Sequence, residues 1–112
     1  MKAASIKGDP GEYLIAVGAP GLDYEGTEDA GAVFVYRFHN EELLNEQIIW
    51  PGQISQFKRF GSSIALHSRQ GQMLMAIGAP GNIAEEIPGS VELHHLAEEK
   101  WELSQTIEAA EQ

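Results

Sequence analysis

The chain has no cysteine, which removes disulfides, thiolate metal sites and thiol nucleophiles from consideration. It is also poor in positive charge, with seven Lys and Arg against seventeen Asp and Glu and a formal charge of −10. Such a surplus repels phosphate backbones and anionic lipid surfaces, so neither nucleic acid nor membrane surface is expected as a partner. No apolar run approaches the ~20 residues of a membrane span, so no membrane insertion is expected from this segment. The opening MKAASIKGDPG lacks the apolar stretch of a signal peptide. Missing too are a Gly-rich phosphate loop, a His-Glu-x-x-His pair and the Gly-x-Ser-x-Gly elbow, even around Ser62 and Ser63. No catalytic residue and no cofactor is therefore expected.

What the chain does contain is a tandem repeat. Shifted by 60 residues, Leu74, Ala76, Gly78, Ala79 and Pro80 fall on Leu14, Ala16, Gly18, Ala19 and Pro20. Shifted by 58, Gly89, Val91 and Leu93 fall on Gly31, Val33 and Val35, and Gln105 and Ile107 on Gln47 and Ile49. The two-residue difference sits in the loop after each Gly-Ala-Pro, where backbone changes length without disturbing a core. Residues 1–52 read as the first unit and 53–112 as the second. In the 60-residue register Met1 takes the place of Gly61, so the first unit lacks the Phe60-Gly61 pair that opens the second.

Each unit reads as four strands. In the first, a turn at Asp9-Pro10-Gly11 leads into Tyr13–Val17, an apolar run expected to be covered on both faces. Pro20 cannot donate to a ladder and stops the pairing. The clearest strand is AVFVYRF, 32–38, followed by a turn at 39–42 and an outer strand at 43–50. The second unit repeats the plan at 62–67, 73–77, 90–96 and 101–107. By propensity alone residues 94–112 also read as a helix; the repeat favours strand.

A period of this length with four strands per unit is the mark of a β-propeller blade. Phe60-Gly61, then Gly78-Ala79-Pro80, then Gly89-Ser90-Val91, then Trp101 and Gln105-Thr106-Ile107 resemble the FG-GAP repeat of integrin α-subunit propellers and their bacterial relatives. The first unit matches from Gly18-Ala19-Pro20 onward. The resemblance implies an all-β chain of two four-stranded antiparallel blades, extracellular or at the cell surface, serving protein recognition or cell adhesion without catalysis. Its partners would be a protein ligand, further blades, or copies of itself in a homo-oligomer that completes a ring. Other implied settings are an accessory segment of a secreted hydrolase and a stand-alone chain that oligomerises. The calcium loop of many such repeats is not matched: the positions read Lys7-Gly8-Asp9-Pro10-Gly11-Glu12 and His67-Ser68-Arg69-Gln70-Gly71-Gln72, too few oxygen ligands for that ion.

The acidic loop GLDYEGTEDAG, 21–31, is the candidate recognition surface, with Asp23, Tyr24 and Glu25 as contact residues and Tyr24 as the aromatic anchor. Its carboxylates do not fit a calcium pattern, and no metal site is assigned. His94 and His95 are neighbours on a strand, so they point to opposite faces and cannot share an ion. Phe34, Tyr36 and Phe38 alternate onto one face whose second-unit counterparts are Glu92, His94 and Leu96; core packing is the expectation for these aromatics. Trp50 and Trp101 are read as structural.

Overall fold

The computed structural model describes residues 2–7, 11–82, 84 and 86–108. Eight strands follow in order: β1 (Lys2–Lys7), β2 (Glu12–Ala19), β3 (Ala32–His39), β4 (Glu42–Ile49), β5 (Ser63–Arg69), β6 (Gln72–Ala79), β7 (Ser90–Ala97) and β8 (Lys100–Glu108). They form two antiparallel four-stranded meanders, β1-β2-β3-β4 and β5-β6-β7-β8. The helical reading of the C-terminal segment fails over its described part, because β8 pairs with β7 from Lys100 to Glu108. The expected turn residues Asp9 and Pro10, and the tail 109–112, lie outside the described residues.

Tight hairpins gather at one end of each sheet. Asn40 and Glu41 (φ 48° and 69°), and Gln70 and Gly71 (φ 50° and 78°), fill two-residue connections with both residues left-handed, the geometry that suits the twist of paired strands. Both β3–β4 and β7–β8 carry a bulge, with Leu44 the extra residue in one and Ser104 in the other. The long connections 20–31, 50–62 and 80–89 lie at the opposite end.

Ladder pairing corrects the repeat register at the first strand. Lys2 stands opposite Gly18, whereas Ser63 stands opposite Gly78. Lys2 therefore corresponds to Ser63, one residue off the 60-residue shift, and Met1 corresponds in sequence to Ser62 rather than Gly61.

The sheets stack with like strands adjacent, β1 and β2 beside β5 and β4 beside β8. Between them lie Leu14, Ala16, Val33, Val35 and Ile49 of the first sheet and Met75, Ile77, Ala79 and Trp101 of the second, with Phe60 at 0% exposure wedged in from the linker. Close approach is required where the linker meets the first sheet: a Cβ on Gly18 would lie 2.0 Å from the Gly61 carbonyl oxygen, and one on Gly31 2.2 Å from that of Phe60. The polar rim at the hairpin end is bonded across the joint. Gln47 Nε2 donates to the Trp101 carbonyl at 3.1 Å, and Trp101 N–H donates back to Gln47 Oε1 at 2.9 Å. Asn45 donates to the Glu99 carbonyl, and Arg37 pairs with Glu12 and Glu99.

Two expectations about coverage are overturned here. Tyr13–Val17 is covered on one face only: Leu14 and Ala16 are buried, while Tyr13 is exposed and Ile15 and Val17 half-buried. Phe34, Tyr36 and Phe38 stay out of the joint, because Val33 and Val35 take the covered side and alternation sends the aromatics to the far one.

Candidate functional site

The acidic loop is a second, smaller hairpin rather than a loose connection. Tyr24 and Thr27 exchange both backbone hydrogen bonds, at 3.0 and 2.8 Å, around Glu25 and Gly26, both left-handed. Asp23 accepts from the Asp29 N–H at 2.9 Å, so one of the proposed contact carboxylates also braces the loop. Tyr24 is half-buried, with its ring edge-on to Trp50 at 4.8 Å between centroids and 71° between planes. A T-shaped pair of this kind contributes about 0.5–1.5 kcal/mol beyond burial. It fixes the loop to the end of β4, and it assigns Trp50 the structural role expected of it.

The linker runs alongside and holds the loop from the other side. Phe57 N–H donates to Glu28, Arg59 N–H to Asp29 and Phe60 N–H to Ala30, and the Arg59 guanidinium reaches Asp29 at 3.5 Å. Phe57, Arg59 and Asp29 all have positive φ, uncommon for such side chains and costly unless neighbours enforce it. Asp23, Glu25 and Glu28 are left exposed on a rigid rim. The three do not converge: among the described residues no group of three His, Cys, Asp or Glu side chains is placed to hold a metal.

A buried polar group that sequence reading missed anchors this linker to the second sheet. Glu92, 2% exposed, accepts from Gly52 N–H at 2.7 Å and meets His94 Nε2 at 2.9 Å. A carboxylate this deep requires such partners, and a backbone N–H plus an imidazole supply them. The signal was Glu-x-His on a strand, which puts both side chains on one face. His95 points the other way, as alternation requires, and meets Ser104 and Glu102.

The motif residues divide between the joint and its empty counterpart. Gly18 of β2 meets the linker at Gly61, with Ala19 and Pro20 just beyond, while Phe60 and Gly61 plug that face. Gly78, Ala79 and Pro80 line an open cavity of about 440 Å³ with Gly89, Ser90 and Val91, the second-unit counterpart of the place Phe60 fills in the first.

Six residues on the covered face of the first sheet, Leu14, Ala16, Gly18, Val33, Gln47 and Ile49, recur identically as Leu74, Ala76, Gly78, Val91, Gln105 and Ile107. The second set lies on the uncovered face of the second sheet. The opposite faces differ: Glu92 and His94, turned into the joint, correspond to Phe34 and Tyr36, turned away from it. Compared with protein-family models, with curated proteins and with solved structures, the chain matches none of them.

Proposed function

We propose that this chain is a non-catalytic β-propeller scaffold for protein recognition, of the integrin α-like kind, in which the two sheets act as consecutive blades. The observation that carries the reading is the stacking of like strand beside like strand, β1 by β5 and β4 by β8, with a repeated face covered in one sheet and open in the other. Stacked repeats bury a continuous core in this way, each unit covering one flank of its neighbour. The recognition surface is the rim of Asp23, Glu25 and Glu28, stiffened by Tyr24 on Trp50; its exposed carboxylates suit a basic protein surface.

An extended chain tests the reading. Joining a second copy of residues 53–112 after Ala110, which corresponds to Gly52, supplies a third unit with its own Phe-Gly. The added unit should cover Leu74, Leu93 and Ile107, protect their amides from hydrogen exchange and raise the melting temperature. In that extended chain, Glu25→Lys with Glu28→Lys, which keep the Asp23 bond to Asp29 N–H, should leave melting unchanged and remove selection of Lys- and Arg-rich peptides from a displayed library. A third unit that melts independently and protects nothing in β6 to β8 would overturn the proposal.

A further inference from the structure

We infer that this chain associates head to tail with copies of itself, the open face of its second sheet receiving the aromatic open face of the next copy's first sheet. The inference rests on the blade reading above and names the occupant of the open faces. Its template is the joint inside the chain. There a face bearing Leu14, Ala16, Gly18, Val33, Gln47 and Ile49 receives the opposite face of a sheet of the same topology. The second sheet presents the same six residue types in the same register, uncovered, with Ile107 48% and Val91 37% exposed. The first sheet presents, also uncovered, the face equivalent to the one used inside the chain, with Tyr13, Leu43 and Ile48 between 44% and 49% exposed. One free face of each kind per chain is the condition for a heterologous contact that propagates or closes into a ring.

A polar detail fixes the register of the external joint. Inside the chain the Gln47 amide makes both hydrogen bonds to the main chain of Trp101. Gln105 is the counterpart of Gln47, and Leu43 that of Trp101. Leu43 stands opposite Phe38, one step beyond the hairpin-closing pair His39 and Glu42, as Trp101 stands opposite Leu96 one step beyond Ala97 and Lys100. A two-residue hairpin closes on a hydrogen-bonded pair, so the next pair directs its N–H and C=O outward, away from the neighbouring strand. The Leu43 main chain is thus directed outward on an edge strand, ready for the Gln105 amide of the adjacent copy.

The external joint differs from the internal one in one place: Phe60 plugs the internal joint, whereas the equivalent cavity beside Gly78 and Gly89 is open, which makes the contact the weaker of the two. Adding Lys-Arg-Phe-Gly, the sequence of residues 58–61, directly before Met1 supplies the plug in register. It should tighten association at least about ten-fold, the order expected from burying one aromatic side chain.

The test uses the full chain, by light scattering after size exclusion from about 1 to 200 µM. The expected wild-type result is a species of roughly three or four chains, six or eight blades, within the range of closed propellers. Ile107→Lys blocks one face and Ile48→Lys the other, both at exposed positions that leave the internal core intact. Each variant alone should be monomeric at every concentration, and an equimolar mixture should yield a one-to-one dimer through the two unblocked faces. A wild-type monomer throughout, or a mixture that stays monomeric while wild type assembles, overturns the inference. Persisting homodimers of either variant overturn it too, since they require a symmetric contact. Circular dichroism confirms that both variants are folded. A monomeric wild type whose three-unit extension is nevertheless stabilised would remove self-association and leave the blade reading standing.

Discussion

Gly18 and Gly78 occupy equivalent positions in the two units, and the same substitution should have opposite consequences at them. A Cβ on Gly18 would lie 2.0 Å from the Gly61 carbonyl oxygen and 3.0 Å from its carbon, both main chain, with Ile64 Cδ1 at 3.3 Å. No rotamer relieves a main-chain contact, so β5 and the linker must retreat by about 1 Å, a gap that forfeits a quarter to a half of the dispersion energy of the atoms it separates. Overpacking of this kind costs about 1–3 kcal/mol, and the main-chain obstacle argues for the upper part of that range. A Cβ on Gly78 would lie 2.2 Å from Ser63 Oγ, but 3.6 Å from Ser63 Cβ. Ser63 is exposed, so its hydroxyl turns away. Gly78 has no positive φ, and alanine at such a site stabilises by about 0.4–1 kcal/mol through the unfolded chain. The two variants should therefore differ by about 2–4 kcal/mol, Gly18→Ala below wild type and Gly78→Ala at or slightly above it. Urea unfolding in the Ile48→Lys background, in which association is blocked, measures the difference as separated midpoints with a shared slope. Variants lying within 0.5 kcal/mol of each other, roughly the error of such extrapolations, would refute the stacking of the linker on β2.

Two further substitutions probe the joint. Phe60→Ala, which empties a fully buried site between linker and sheets, should cost about 3–5 kcal/mol in the same unfolding assay; a loss below ~1 kcal/mol would mean that the ring is not buried there. Glu92→Leu should cost about 2–3 kcal/mol, since it leaves Gly52 N–H and the His94 imidazole without their acceptor, whereas Glu92→Gln should recover most of that loss; equal effects from both would show that the carboxylate does not fix the linker.

Strand order and hairpin positions were legible because the repeat constrained them. The segment 94–112 shows this best: its propensity is helical, but its counterpart contains Pro51-Gly52, and from Lys100 to Glu108 pairing with β7 overrides local preference. Coverage was not legible for a physical reason. When both faces of a strand are apolar, as in Glu12–Ala19 and Ala32–His39, alternation cannot say which face meets a neighbour. The information lay in the repeat itself, since the face kept identical between units is the one that, in the first sheet, receives its neighbour. The one-residue offset of β1 against β5 was hidden because KAASIK carries few large side chains to pin a register. In the acidic loop, Asp23 and Tyr24 read as free contact groups because neither the Asp29 N–H nor the ring of Trp50 is near them in sequence-local terms.

The divergence between the two units has a mechanical meaning. The face that the second sheet turns into the joint contains Glu92, whose carboxylate meets His94 Nε2 and accepts from the Gly52 N–H that the covalent linker delivers. The equivalent face of the first sheet contains Phe34 and Tyr36 instead. A carboxylate buried in a joint needs donors of this kind, and burying one without them costs several kcal/mol. Aromatic side chains need no donor and bury well against the aliphatic face of Leu74, Val91 and Ile107. The polar pair therefore suits the joint within the chain, where the linker supplies that donor. The aromatic face, which needs no such donor, suits the joint inferred between chains.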